Sequence, residues 1–311
     1  MSKNLIRQTL AVVGLAAVAL AGAAGAASAA GAATHSGSGH SGRAVRAPFA
    51  TRAQALRLAR RLLGKAVLPP GVRPFDGKLP GSIGAPAERP ASDHIVDAHA
   101  VLAVRRSMDR TFAFVAHHRP AGWLLYDTGQ TGESLHGKDV VTEKYVTYSP
   151  RHLPAAFNLI HMLVQVAAGR HGHALIRVDV QVIWYPRRSA AEYLVARHFL
   201  AVRIDEWISY PKPHHQRRTF RQRAIIGKLT RILNALPASP GGVWSCPYGI
   251  DAYRLTFMPV KGRLGAIINA PGCPPLYGIS VGGQSLPALA DNGKIEQIAD
   301  HLLRGSHRPA P

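Results

Sequence analysis

The chain has 311 residues, of which 47% are hydrophobic, 38 are Lys or Arg and 17 are Asp or Glu, giving a formal net charge of +21. This much apolar material excludes a collagen-like or disordered chain, and two cysteines exclude a small protein built on many disulfides. The basic excess has two interpretations, the codon usage of a GC-rich genome or a surface that binds polyanions.

Residues 1–30 have the three parts of a secretory signal peptide. Lys3 and Arg7 supply positive charge, residues 10–22 are apolar, and Ala29 ends an Ala-Ser-Ala cleavage site. A retained membrane anchor is the alternative, although Ala and Gly dominate this stretch and would hold it weakly in a bilayer. We expect export by the Sec route, to the medium or the cell envelope, with no transmembrane span left after cleavage.

Small, polar and basic residues over 31–48 predict a flexible linker, and an N-terminal α+β domain is expected over 49–210. Its clearest feature is a hairpin, because residues 161–168 and 173–184 alternate between apolar and polar side chains on either side of a turn. This alternation predicts an antiparallel sheet with one apolar and one polar face. The other elements predicted here are a helix over 52–64, an extended Pro/Gly-rich loop over 69–90, a strand over 94–104, a helix over 107–118, a Gly-rich loop over 129–139, a strand over 140–148 and a strand over 200–210.

A smaller C-terminal module is predicted over 217–305. Residues 217–236 and 294–304 place apolar side chains at helical spacing, and short strand-like segments lie between these two helices. The fold class is therefore α+β, an antiparallel sheet with packed helices followed by a smaller α-β-β-β-α module. The three strands of the module are expected at 253–258, 264–269 and 276–281.

Several short strings in the second half of the chain match a known group of proteins. The strings are RVDVQVIW over 177–184, NALP over 234–237, SCP over 245–247, a Gly-Cys pair at 272–273 and GGQSLPAL over 282–289. Together they resemble secreted actinobacterial proteins of unknown function. The resemblance implies an extracellular location and a cysteine bridge, and it supplies no mechanism and no catalytic residue.

Cys246 and Cys273 are the only cysteines in the chain. An even number of cysteines in an exported chain predicts a disulfide, which would lie in the C-terminal module. A nucleophilic cysteine is the alternative, and it would require a thiol that stays reduced outside the cell.

A candidate polar site lies at the start of the strand predicted over 94–104, where Asp93, Asp97 and His99 cluster and the last two share a face. One hypothesis is a secreted hydrolase, with or without metal assistance, that uses the Asp97/His99 region. Zinc needs three or four converging ligands, and the chain has no H-E-x-x-H helix, so no metal site is predicted. The hydrolase gains support if these residues meet further His or Asp side chains in one cleft. Dispersed surface histidines are the simpler interpretation.

Residues 132–139 nearly match the phosphate-binding loop of nucleotide enzymes. Asp139, however, stands where a hydroxyl should bind Mg²⁺, and the residues after it favour a strand over a helix. No cofactor is therefore predicted, the catalytic residues are unknown, and enzymatic activity is the less favoured interpretation.

The leading hypothesis is a non-catalytic envelope or extracellular protein that binds a partner or a polyanion. On the helix predicted over 217–236, four basic residues fall within one arc of about 80° at ~100° per residue. Such an edge suits an anionic envelope polymer or lipid surface, whereas few aromatic residues accompany it, so sequence-specific nucleic-acid binding is not expected. A solvated face that only aids solubility is the alternative. The candidate polyanion-binding residues are Lys212, Arg217, Arg221, Lys228 and Arg231.

Overall fold

The computed structural model describes residues 47–135, 138–208, 212–242, 252–270, 276–290 and 293–305. These residues form two six-stranded antiparallel sheets and four α-helices, which confirms a mixed α+β fold. Both sheets belong to one compact unit, and no described helix is long and apolar enough to cross a membrane. The predicted signal peptide, all but the last two residues of the linker, Cys246 and Cys273 lie outside the described residues.

The first sheet has the strand order β1-β2-β6-β5-β4-β3, so its second strand pairs with its last one. Helix α1 contacts β2 and β6, whereas α2 contacts mainly β4 and β5. The elements of this half are α1 (Arg52–Leu63), β1 (Arg73–Pro74), β2 (Ile95–Val104), α2 (Met108–His117), β3 (Trp123–Leu135), β4 (Lys138–Pro150), β5 (Phe157–Ala168) and β6 (Ala174–Trp184).

Helix α1 begins where its sequence predicts. The Thr51 side chain accepts a hydrogen bond from the Gln54 backbone, and the Gln54 side chain binds back to the Thr51 backbone, which forms a capping box. Ala55, Ala59 and Leu62 are buried at helical spacing, and they pack on the apolar face of the sheet. The predicted helices over 52–64 and 107–118 are therefore confirmed to within two residues.

Strand β6 alternates as the sequence predicts, yet both of its faces are buried. Val178, Val180 and their apolar neighbours face the helices, whereas Arg177 and Asp179 point to the opposite face. The second face is buried because residues 75–90, which we call the covering segment, lie across it. The loop predicted over 69–90 is thus largely irregular, as expected, and it serves as a third layer of the fold.

The second sheet has the strand order β12-β11-β10-β9-β7-β8. Helices α3 and α4 pack on one face of it, around buried side chains such as Val202, Leu229 and Ala299. The elements are β7 (Phe199–Ile208), β8 (His214–Phe220), α3 (Arg223–Ala235), β9 (Ala252–Pro259), β10 (Ala266–Ala270), β11 (Leu276–Val281), β12 (Gln284–Ala290) and α4 (Lys294–Arg304).

The second sheet differs from the predicted α-β-β-β-α order in three ways. The helix predicted over 217–236 was too long, because 214–220 is strand β8 and the helix begins only at Arg223. Strand β7, which we assigned to the first domain, lies between β8 and β9 in the second sheet. Strand β12 was not predicted, and it contains Pro287, which a strand tolerates at the edge of a sheet, where β12 lies.

The Gly-rich loop predicted over 129–139 was also wrong, because these residues belong mostly to the β3–β4 hairpin. The glycines fit a strand here for a steric reason. A Cβ atom on Gly129 would lie 2.4 Å from the Tyr145 ring, so the missing side chain makes room for the tyrosine.

Candidate functional site

The covered face of the first sheet brings Asp97 and His99 together with a third residue, Asp179. Antiparallel pairing of β2 with β6 sets His99 opposite Asp179, and one ligand atom from each of the three side chains lies within 4.8 Å of the others. Asp93, the other predicted member, is not in this group and lies beside Gly241. The structure therefore joins two of the three predicted residues to an aspartate that the sequence analysis did not single out.

Asp179 is fully buried and is held by the neighbouring Arg177 on the same strand. Arg177 Nε donates to both carboxylate oxygens, at 3.0 and 2.8 Å, and Nη2 donates to Oδ1 at 2.8 Å. The remaining nitrogen, Nη1, donates to the backbone carbonyl of Gly84 in the covering segment at 2.8 Å. The ion pair therefore also fastens the cover to the sheet.

The charge on Asp179 affects its neighbour Asp97. Burial of Asp97 and the nearby carboxylate of Asp179 raise the pKa of Asp97 to about 6, although the charge of His99 acts in the opposite direction. Asp97 keeps one side in solvent, so solvent screening reduces the energetic weight of this repulsion.

Two carboxylates and one imidazole are groups that bind divalent metals. Both oxygens of Asp179 already accept hydrogen bonds from the Arg177 guanidinium, and a divalent cation at this place would face that positive charge. The donor set therefore fits a metal ion poorly. The set suits two interacting carboxyl groups, Asp97 and Asp179, of which Asp97 takes up a proton as pH falls through about 6.

We expect the difference in unfolding free energy between the wild type and the Asp97→Asn variant to depend on pH. The folded-state pKa of Asp97 lies above its ordinary value of 3.8, so its stabilising contribution is present below pH ~4 and is lost as pH rises through about 6. The free energy of unfolding of the wild type, measured in urea relative to Asp97→Asn, should fall by about 1 kcal/mol between pH 4 and 8. A stability difference that rises with pH would contradict the coupling.

A second cluster occupies the face of the second sheet opposite α3 and α4, and no described helix packs on it. Asp205 on β7 lies at its centre and is only 1% exposed. Arg203 Nε donates to Asp205 Oδ2 at 3.0 Å, Arg217 on β8 donates to Oδ1, and His215 Nε2 lies 3.6 Å from Oδ1. Three basic side chains thus share one carboxylate.

The neighbouring strand β9 adds a fourth basic group. Arg254 is the register partner of Asp205, and its Cζ lies 5.4 Å from the centroid of the Trp207 ring. The Trp207 ring also stacks on His215 at a centroid distance of 5.0 Å. We call Arg203, His215, Arg217 and Arg254, with Trp207 and Asp205 among them, the basic face.

The basic face carries a net positive charge. Burial raises the pKa of Asp205, but hydrogen bonds from Arg217 and Arg203 outweigh burial and hold that pKa below its ordinary value. Asp205 therefore stays ionised, and its charge offsets only one of three guanidinium groups. Arg217 remains about half exposed at 56%, so it can contact a further anion.

The basic residues predicted on one helical arc are instead divided between the two faces of the second sheet. Arg217 lies on β8 within the basic face, whereas Lys228 and Arg231 are exposed on α3, whose buried side packs on the opposite face. Lys212 precedes β8 and Arg221 follows it. The predicted single arc was wrong because residues 214–220 form a strand.

The sequence analysis did not predict Arg203 and Arg254 as site residues, because no local sequence pattern distinguishes them. They come to the same face as Asp205 only because Arg203 lies two residues before it on β7 and Arg254 lies opposite it on β9. Comparison of the chain with protein-family models, with curated proteins and with solved structures gives no match.

Proposed function

We propose that the protein is an exported, non-catalytic envelope or extracellular protein that binds an anionic polymer on the basic face. The observation that carries this proposal is the group of Arg203, Arg217 and Arg254 around the single described carboxylate of an open sheet face. Export is supported by the signal-like pattern of residues 1–30 and by the resemblance to secreted proteins.

The chemistry of the basic face favours phosphate-bearing polymers of the teichoic-acid type. A guanidinium group offers a planar fork of donors that matches the oxygens of a phosphate. Arg217 and Arg254 lie in one row across β8, β7 and β9. Their Cα atoms are therefore about 10 Å apart, two strand spacings of ~4.8 Å. The Trp207 ring, which contacts His215 and Arg254, provides an apolar surface for the uncharged sugar or polyol of the polymer.

We expect the Arg217→Gln/Arg254→Gln variant to bind an immobilised polyphosphate at least ~10-fold more weakly at low salt, because two phosphate contacts are lost. The slope of log affinity against log salt should also become shallower by about 1–2 units. Arg203 stays in place to pair with Asp205, so the fold is kept. Retention and affinity are measured across a salt series.

The matched control is Lys228→Gln/Arg231→Gln, which removes the same charge from the exposed side of α3. Its affinity and salt slope should stay close to those of the wild type. Equal losses in both double variants would show that only net charge matters, and a loss confined to the helix variant would contradict the proposed surface.

A hydrolase that uses the Asp97/His99 region is the second candidate, and the raised pKa of Asp97, about 6, favours it. General acid–base catalysis works best when the pKa of the catalytic group lies near the working pH. In this case Asp97→Asn would abolish hydrolysis of a phosphodiester or ester substrate and leave polymer binding unchanged. Wild-type protein without hydrolytic activity on such substrates would exclude this candidate.

A further inference from the structure

A basic pocket lies at the edge of the first sheet, away from the basic face. It has a volume of about 400 Å³, is partly open to solvent, and is lined by Arg73, Arg105, Arg106 and His173, together with proline, glycine and apolar residues. Arg73 lies on β1 and is paired with Ala103 on β2. Arg105 and Arg106 directly follow β2, and His173 directly precedes β6.

The charges of this pocket are unbalanced. No carboxylate is among its described lining residues. Within the described part of the chain, Arg73, Arg105 and Arg106 form no ion pair. Arg106 Cζ lies 6.0 Å from the centroid of the Phe114 ring, a contact that leaves its charge unneutralised. Positive groups that line a concave surface concentrate the local field and attract anions. Three guanidinium groups without a counterion therefore indicate an anion site.

The backbone around the pocket is well held. The Arg106 amide donates to the Val104 carbonyl at 2.9 Å, and the His173 amide donates to the Arg170 carbonyl at 3.2 Å. Gly71 has a φ of +82°, a left-handed conformation that other residues adopt only with strain. The backbone that carries these side chains is thus held by hydrogen bonds on β2 and at the turns beside it, which reduces the backbone ordering that a ligand would require on binding.

We propose that this pocket binds the phosphate group of a small phosphorylated molecule. Arginine forks bind phosphate oxygens in pairs, and a volume of about 400 Å³ lies at the small end of ligand sites, which span ~300–1,000 Å³. This volume accommodates a single phosphate with a short substituent. The pocket is independent of the proposed polymer binding, because the two sites share no residue.

The test is titration of the full chain with inorganic phosphate, followed by calorimetry and by the rise in melting temperature that binding causes. We expect saturable binding to the wild type and at least ~10-fold weaker binding to Arg73→Gln/Arg105→Gln, because two charge-assisted contacts are lost. Both side chains are exposed, so this variant should fold. The Lys228→Gln/Arg231→Gln control should bind phosphate as the wild type does.

A parallel arm distinguishes the source of the phosphate group. Vesicles of phosphatidylglycerol in phosphatidylcholine present the same chemistry as a lipid headgroup, and sedimentation measures binding to them. A loss in the Arg73/Arg105 variant with vesicles alone would assign the pocket to a headgroup, and a loss with free phosphate would assign it to a soluble ligand. Equal binding of both probes by wild type and variant would overturn the proposal. Arg217→Gln/Arg254→Gln should leave this site intact, so the two proposals can fail separately.

Discussion

Asp179→Ala is expected to lower the free energy of unfolding by about 3–5 kcal/mol, the usual cost of leaving one member of a buried ion pair alone. Arg177 and Asp179 are 5% and 0% exposed, so water cannot replace the missing carboxylate. Arg177 also donates to the Gly84 carbonyl, and a displaced guanidinium would loosen the covering segment. Urea unfolding followed by circular dichroism measures the loss.

The double variant Arg177→Met/Asp179→Leu separates the unpaired charge from other effects. Apolar side chains of similar volume often replace a buried ion pair with little loss. We therefore expect this variant to recover at least half of the lost stability, the remainder being the hydrogen bond to Gly84. Asp93→Ala, at an exposed aspartate nearby, should change stability by less than ~0.5 kcal/mol. A double variant no more stable than Asp179→Ala would contradict the assignment of the loss to the unpaired arginine.

Asp205→Asn is expected to weaken the fold and strengthen polymer binding at the same time. The buried carboxylate holds Arg203 and Arg217, and its removal should cost about 1–2 kcal/mol, since both arginines can still reach water. The same change removes the single described negative charge of the basic face. Affinity for polyphosphate should therefore rise several-fold at low salt, with a steeper salt dependence.

The pH dependence of Asp205→Asn provides a further readout. The folded-state pKa of Asp205 is below its ordinary value of 3.8, so its stabilising contribution is present above pH ~4 and is lost as pH falls through the lower folded-state pKa. The stability difference between the wild type and the variant should thus shrink in acid. Asp109→Asn is the matched control, because it changes the net charge equally at an exposed position on helix α2, where Asp109 pairs with Lys144 of β4. Equal gains in affinity from both variants would contradict a local effect.

The parts of the fold that could be predicted are those with local signals. The capping box at Thr51 and the apolar spacing of α1 are both set by residues close together in the sequence. The same holds for the alternation of apolar and polar residues that predicted the β5–β6 hairpin. The segment 214–220 carries alternating exposed and half-buried side chains as a strand, but its basic and apolar residues also fit a helix. The segment forms a strand and not a helix because it pairs with β7.

The candidate sites could be predicted only in part, because each is assembled by distant pairing. Asp97 comes close to Asp179 through the pairing of β2 with β6, and Asp205 faces Arg254 through that of β7 with β9. Neither partner is specified by a short string of residues. The covering segment is hidden for another reason. Besides the packing of Ile83, it is held through backbone carbonyls such as those of Gly84 and Glu88, and a carbonyl group has the same chemistry in every residue.

The position of β2 in the first sheet has a consequence for the order of folding. Strands β3 to β6 form three consecutive antiparallel pairs, β3–β4, β4–β5 and β5–β6, so this meander can form rapidly from local contacts. Strand β2 and the covering segment are synthesised before it, yet their partners lie on β5 and β6. They therefore cannot pair until β6 has been synthesised, and their apolar residues stay in contact with solvent until then. The early N-terminal part of this sheet is then the last to close, and this interval is when the chain is most exposed to aggregation or to proteases.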